Sequence, residues 1–309
     1  MTTTTTETFG KVIGLRTPFA GHAKVITGTD SAAEAVQAAG LDYTVSKRPL
    51  WFTGKNNGSK PVKVADEFGV VLDGENERLF GTVKKGYTIV QNAEAFTWAE
   101  GLGEFQFGGS MKHGGQIYLG VKLDRHPVMG GDAHDLYLVL WNGHDGKKSL
   151  GGMVTPIRLR CMNQLSFAKH QAISQFCARH TLGVAKRTED KLDNLLAMVD
   201  SHVAAIKARA DKLAGITMSD ERIKQVLQAA MPARTVLHSE ILLNMKSTDT
   251  LDESQRHTAY GLLQATTEFF EWKRGAETRE SALQSTFDGV GARTARALEA
   301  ILLPQEVVS

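Results

Sequence analysis

The chain has 309 residues, 42% of them hydrophobic, enough apolar material for one large domain or two modest ones at roughly 100–200 residues each, with no need of disulfides or a structural metal. Lys and Arg number 36 against 34 Asp and Glu, a formal net charge of +2, which excludes a histone-like polycation and a disordered acidic tail, so charge has to be read segment by segment. Two cysteines, Cys161 and Cys177, exclude a secreted disulfide scaffold and a four-thiolate zinc site, and read as a reducing cytoplasm.

At the start, the threonines at positions 2–6 are not followed by the basic and apolar regions of a leader. The longest apolar run, 136–141, falls far short of the ~18–20 residues a membrane span requires. The expectation is a cytoplasmic protein with no membrane partner, disordered or loosely ordered over residues 1–25. From 26 to 188 the pattern is that of strands: Tyr43, Val45 and 48–52, then 62–72, 79–90, 105–112, 116–123, 136–141 and 154–161. The turn pairs Asp73-Gly74, Lys85-Gly86, Gly114-Gly115 and Asn142-Gly143 tolerate the positive φ of tight hairpins. This predicts an antiparallel β-meander of six or seven strands, interrupted by one short helix over 93–102 with Asn92 as its cap.

The period then changes. Leu192, Leu195, Leu196, Val199, Val203, Ile206 and Leu213 recur at spacings of three and four, predicting one long amphipathic helix. Ser219, with Asp220 and Glu221 after it, opens a second helix that stops before Pro232. Further helices are expected over 251–272 and 291–303. The fold class is α+β, a β-rich basic domain over 26–188 followed by a helical domain over 189–309.

Charge is distributed unevenly. Between Asp145 and Glu189 no acid occurs for 43 positions, while Lys147, Lys148, Arg158, Arg160, Lys169, Arg179, Lys186 and Arg187 supply eight positive charges. Two smaller acid-free windows are 78–93, with Lys84 and Lys85, and 105–123, with Lys112 and Lys122. Cations without neighbouring carboxylates suit a polyphosphate backbone, whose field nearby acids would cancel. Phe80, Tyr87, Phe105, Phe107, Tyr118, Trp141 and Phe167 interleave with them as stacking candidates. Alternation along 155–161 sends Ile157, Leu159 and Cys161 to one face and Arg158 and Arg160 to the other, where paired guanidinium groups suit phosphate.

Catalytic patterns are weaker. Cys161, His170, Cys177 and His180 lack the short paired spacings of a zinc finger, so no metal site and no cofactor are expected. Asp132, His134, Asp135, His144 and Asp145 would serve a metal-dependent nuclease or phosphotransferase only if brought together, and six extended residues of about 3.4 Å each, some 20 Å, separate the two groups. No nucleophile elbow or Walker lysine is present.

Four motifs carry a family resemblance: Ala39-Gly40-Leu41-Asp42-Tyr43 with Arg48-Pro49; residues 81–87 leading into Val90-Gln91-Asn92-Ala93; Trp141-Asn142-Gly143-His144-Asp145-Gly146; and Thr155-Pro156-Ile157-Arg158-Leu159-Arg160-Cys161-Met162-Asn163-Gln164-Leu165. In order and spacing over about residues 35–170, followed by a helical tail, the chain resembles the phage/plasmid-like protein family of bacteria and phages. The resemblance implies carriage by a phage or plasmid and a role in mobile-element DNA metabolism, and brings no catalytic residues. Arg16 to His22 stands where a Trp-His-Gly segment is expected. More loosely, a meander backed by helices looks like phage single-strand annealing proteins, which work as rings or filaments.

The expected function is therefore binding and annealing of single-stranded nucleic acid in recombination or replication, DNA or RNA being left open. Lys84, Lys85, Lys112, Lys147, Lys148, Arg158 and Arg160 would contact phosphates and Tyr87 would stack. Self-assembly into a ring or filament would multiply weak sites. The alternatives are the metal-dependent enzyme and a structural or inhibitory phage protein whose helical tail binds a host partner.

Overall fold

The computed structural model describes residues 24–55, 60–158, 175–197, 199–270 and 290–303. The first strands and helix are β1 (Lys24–Thr29), α1 (Ala32–Ala39), β2 (Val45–Thr53), β3 (Pro61–Leu72) and β4 (Arg78–Lys84). Then come β5 (Glu104–Met111), β6 (Gln116–Leu123), β7 (Val128–Met129), β8 (Asp132–Gly143), β9 (Leu150–Arg158) and β10 (Gln175–Ala178). The helices that follow are α2 (Val184–Ala197), α3 (Val199–Ala214), α4 (Asp220–Ala230), α5 (Thr235–Ser247), α6 (Ala259–Glu268) and α7 (Val290–Leu302). The protein is α+β, as its sequence pattern predicts.

Two antiparallel sheets replace the single expected meander. The larger runs β1-β5-β6-β8-β9-β10, with β7 hairpinned onto β8, and the smaller is β2-β3-β4. Strand β8 lies in the middle of the large sheet and is buried on both faces, which is why it reads as an unbroken apolar run. Its side chains divide by the two-residue period. Leu136, Leu138 and Leu140 enter a core shared with α1 and α2, whereas Tyr137, Val139 and Trp141 join Phe107 and Tyr118 on the opposite face.

Helix α1 starts at Ser31, whose Oγ accepts the Glu34 N–H, and stops at Gly40 in the left-handed conformation. Ala32, Ala35 and Val36 give it a small apolar face that packs close to the sheet. The predicted helix over 93–102 is instead a set of turns with one 3-10 turn at Thr97–Ala99. Its expected cap is spent elsewhere: Asn92 Nδ2 donates to the Leu41 carbonyl, and Oδ1 meets His144.

The single long helix predicted after residue 190 is two, α2 and α3. Leu192 and Leu195 of α2 belong to the sheet core, while Ile206 and Leu213 of α3 belong to a second core formed with α4 to α7. Position 188 thus falls inside α2. Ser219 caps α4 as expected, accepting from the Arg222 N–H. Helix α6 begins at its own cap, Thr258, rather than at 251, and α5 was not foreseen. The β7–β8 turn ties the halves together: Met129 is buried in the helical core, Gly130 N–H donates to Asp211, and Tyr260 O–H donates to Asp132. Among the described residues no helix is long and apolar enough to cross a membrane.

Candidate nucleic-acid interface

One carboxylate organises the place where the two sheets meet. Asp145 follows β8, and its side chain is 6% exposed. Its Oδ1 accepts the backbone N–H groups of Lys147 and Lys148, both at 2.9 Å, which folds the loop after β8 back on itself. Its Oδ2 accepts from Gln116 Nε2 at 2.7 Å and from Lys112 Nζ at 3.2 Å. Burial pushes this carboxyl up, but the N–H groups of Lys148 and Lys147 and the Gln116 and Lys112 donors outweigh it and leave it below the ordinary carboxylate value.

The neighbouring residues of the same motif hold the junction from several sides. Asn142 Nδ2 donates to the Val90 carbonyl, the Tyr87 hydroxyl donates to the Gly143 carbonyl at 2.8 Å, and His144 N–H donates to the Gly115 carbonyl. His144 Nε2 lies 2.7 Å from Asn92 Oδ1. Because the Asn92 amide donates to Leu41, its oxygen faces His144, which assigns the proton of the neutral ring to Nε2. Among the described residues His144 Nδ1 is buried without a hydrogen-bond partner, so a second proton would find no acceptor there. Burial, then the charge on His180, lower the His144 pKa to about 4, with Asp145 opposing. From the small sheet, Gly81 approaches so closely that a Cβ there would lie 2.2 Å from the Asp145 carbonyl oxygen.

Around this hub stand cations from separate acid-free stretches. Lys84 ends β4 and Lys85 follows it; Lys112 occupies the β5–β6 turn; Lys147 and Lys148 follow Asp145. Lys112 and His113 both hold left-handed backbone, φ 50° and 55°, a conformation that costs an L-residue roughly 1–2 kcal/mol. The turn so formed brings the Lys112 ammonium onto Asp145. Five of the lysines expected to contact phosphate thus lie on the strand ends and turns around this junction.

They are not equivalent. Lys84 pairs with Glu67, Lys112 with Asp145, and Lys148 Nζ sits 4.5 Å from the Trp141 ring centroid. Lys85 and Lys147 are exposed, and no acidic side chain pairs with either among the described residues. Tyr87 is half-buried, its ring stacked on His180 at 4.9 Å. Burial, then the Asp145 charge, raise its hydroxyl pKa. Phe105, Phe107, Tyr118 and Trp141, offered as stacking candidates by their place in the sequence, lie in the two sheet cores instead. The backbone of Arg158 pairs with His134 on β8; the Arg158 side chain, Arg160, Phe167, Cys161 and His170 lie outside the described residues.

The catalytic alternative fares differently. Asp132, His134 and Asp135 stand at the first end of β8, and His144 and Asp145 beyond its last residue. Asp135 binds Lys122 and His126, Asp132 accepts from Tyr260, and Asp145 has the partners above. The five do not form one constellation, and among the described residues no group of three His, Cys, Asp or Glu is arranged to hold a metal.

One participant was missed in the sequence. Lys47 Nζ donates to the carbonyls of Lys85 and Tyr87 at 2.8 and 3.0 Å, fastening β2 to the cluster. The signal was another acid-free window, residues 43–65, which holds Lys47, Arg48, Lys55, Lys60 and Lys63.

An α+β protein whose two sheets join at a buried aspartate, bound by one lysine ammonium and the backbone N–H groups of two further lysines, is the class that this geometry defines. Residues 79–296 match the model of a domain of unknown function, DUF932. That is more than half of the chain, running from β4 into α7, and the protein belongs to this family. No curated protein and no solved structure matches it.

Proposed function

We propose that the protein binds single-stranded nucleic acid and anneals complementary strands. What supports this is the convergence of Lys84, Lys85, Lys112, Lys147 and Lys148, drawn from three separate acid-free stretches, onto the strand ends and turns around this junction. Annealing fits such a site, because it requires neutralisation of two phosphate backbones while the bases stay free to search. It requires no proton transfer and no leaving group. Carriage by a phage or plasmid and a role in recombination or replication belong to this proposal, supported by the motif resemblance, and action in the cytoplasm is proposed with them. Assembly into a ring or filament would give many weak sites the affinity that one lacks.

The test is binding of a labelled single-stranded oligonucleotide across a salt series, followed by annealing of two complementary strands. The logarithm of the affinity is expected to fall linearly with the logarithm of salt, at about 0.7 per phosphate contact for single strands. Annealing is expected to accelerate at the same protein concentrations. Absence of binding at low salt overturns the proposal.

A further inference from the structure

We infer that the outer part of the β2–β3 hairpin is a second nucleic-acid contact, one that takes bases rather than phosphates, with Trp51 and Phe52 as the stacking residues. This inference rests on the function proposed above and extends it to a segment outside the lysine cluster.

Strand β4 pairs with β3 only over Glu67 to Leu72. Beyond that point, among the described residues, β3 pairs with β2 alone, through the pairs Trp51–Lys63, Phe52–Val62 and Thr53–Pro61. The small sheet thus continues as a two-stranded ribbon. A register shift between Pro49 and Trp51, with Asp66 at φ 57°, marks an irregularity where the ribbon leaves the sheet, a feature that bends a strand and re-aims its side chains.

On this ribbon Trp51 is 59% exposed and Phe52 54%. Being consecutive in a strand, they point to opposite faces. An isolated exposed apolar residue needs no explanation, but two adjacent aromatic rings on a projecting ribbon are costly to leave in water. Their surroundings identify the occupant. Lys55, Lys60 and Lys63 are exposed, and no acidic side chain pairs with any of them among the described residues. Lys63 stands directly across from Trp51, on the same face. The other two cations of the window are committed at the base, Lys47 to the carbonyls of Lys85 and Tyr87 and Arg48 to Asp73 and Glu77.

An aromatic ring beside unpaired ammonium groups is the combination that holds a base and its flanking phosphates. A flat lipid surface is a poorer fit, since it would engage rings on one face rather than on two. Position agrees as well. Lys84 pairs across from Glu67, and Lys85 N–H donates to the Asp66 carbonyl, so the ribbon springs from the end of the small sheet that carries the lysine cluster. A nucleic-acid strand bound at Lys84 and Lys85 would therefore have the base of the ribbon as its neighbour.

The experiment uses the full chain with three probes: oligo(dT), an abasic oligonucleotide of the same length, and vesicles of anionic phospholipid. For the intact protein, binding of oligo(dT) with quenching of tryptophan fluorescence is expected, and weaker binding of the abasic strand. Trp51→Ala should weaken oligo(dT) binding about tenfold to a hundredfold with the salt slope unchanged, since stacking is not electrostatic. Trp51→Phe should restore most of the affinity without the quench, which separates stacking from a folding defect. Combining Trp51→Ala with Phe52→Ala should make the oligo(dT) and abasic affinities equal. If the intact protein binds oligo(dT) and the double variant binds it equally well, the hairpin assignment is overturned while the proposed function stands. If the double variant loses only vesicle binding, the ribbon is a lipid contact and the assignment is again overturned. If the intact protein binds no oligonucleotide at low salt, both fail.

Discussion

The ring of Phe107 packs against Gly120, its directly opposite partner on the next strand, so that a Cβ on Gly120 would sit 2.0 Å from the ring's Cζ. Two more such pairs occur in the same sheet: Tyr118 is opposite Gly109, and Trp141 is opposite Gly151. A glycine inside a strand ordinarily weakens it. Here the missing side chains of Gly120 and Gly109 leave the space that the cross-strand rings fill, while at Gly151 a Cβ would meet the Phe176 carbonyl oxygen first, at 2.2 Å, and the Trp141 ring at 3.1 Å; the core on that face is built from those rings.

It follows that Gly120→Val, favourable by strand propensity, destabilises the protein by about 1–3 kcal/mol through overpacking. Removing the ring should relieve the clash, so the combination with Phe107→Ala is expected to cost less than the sum of the single changes. Urea unfolding of the three variants measures this, and strict additivity would contradict it.

A second close approach joins the sheets. A Cβ at Gly81 would meet the Asp145 carbonyl oxygen at 2.2 Å and its carbon at 2.6 Å, and backbone atoms cannot swing away as a side chain can. Gly81→Ala should therefore cost about 2 kcal/mol or more and weaken oligonucleotide binding by moving Lys84 and Lys85 away from Lys112 and Lys147. At Gly86, five residues on, a Cβ would meet nothing within 4 Å, so Gly86→Ala is the control expected to change neither.

The strands were legible because alternation and glycine turns are local: β3, β5, β6 and β8 lie where the residues of 62–72, 105–112, 116–123 and 136–141 put them. The split into two sheets was not, since it depends on which strands pair. Helix α5 carries Val236 and Leu243 into solvent beside buried Leu237 and Ile241, which blurs the one-sided apolar stripe that reveals α4. At the site, the lysines announced themselves as acid-free windows. Their common anchor did not, because Asp145 is joined to Lys112 and Gln116 only by tertiary folding. Trp51 and Phe52 escaped notice for a related reason: an aromatic in a strand reads as core, and that both faces of the ribbon lie open depends on tertiary folding.

Acid should loosen the junction before it protonates Asp145. The His144 pKa is about 4 in the folded protein, chiefly through burial, against about 6.5 when unfolded. Between those values the unfolded chain holds a proton that the folded one lacks, so stability rises with pH through this window and is complete above it. Acidification from pH 6.5 to 4 should remove up to about 3 kcal/mol from this residue, and His180, lowered by burial, acts in the same sense. The Asp145 contribution, whose carboxyl is held below the ordinary 3.8, is lost only at still lower pH. Urea midpoints across this range should fall steeply for the native protein and much less for His144→Gln; equal slopes would contradict the assignment.

The lysines around Asp145 should separate into two kinds when each is replaced by alanine. Lys85 and Lys147 are exposed and carry no acidic partner among the described residues, so their charges are available to phosphate. Losing either is expected to lower the salt slope of oligonucleotide binding by about 0.7 and leave stability within about 0.5 kcal/mol of the parent. Lys112 is different, because its ammonium meets a carboxylate that is 6% exposed. Lys112→Ala leaves that carboxylate with its three N–H donors but without a countercharge, and the cost should appear first in the folding equilibrium. Measuring urea stability beside the salt slope for the three variants distinguishes the two kinds. If Lys112→Ala changes the slope by as much as the others at unaltered stability, its pairing with Asp145 is not what holds the turn, and the division between anchoring and phosphate-binding lysines falls.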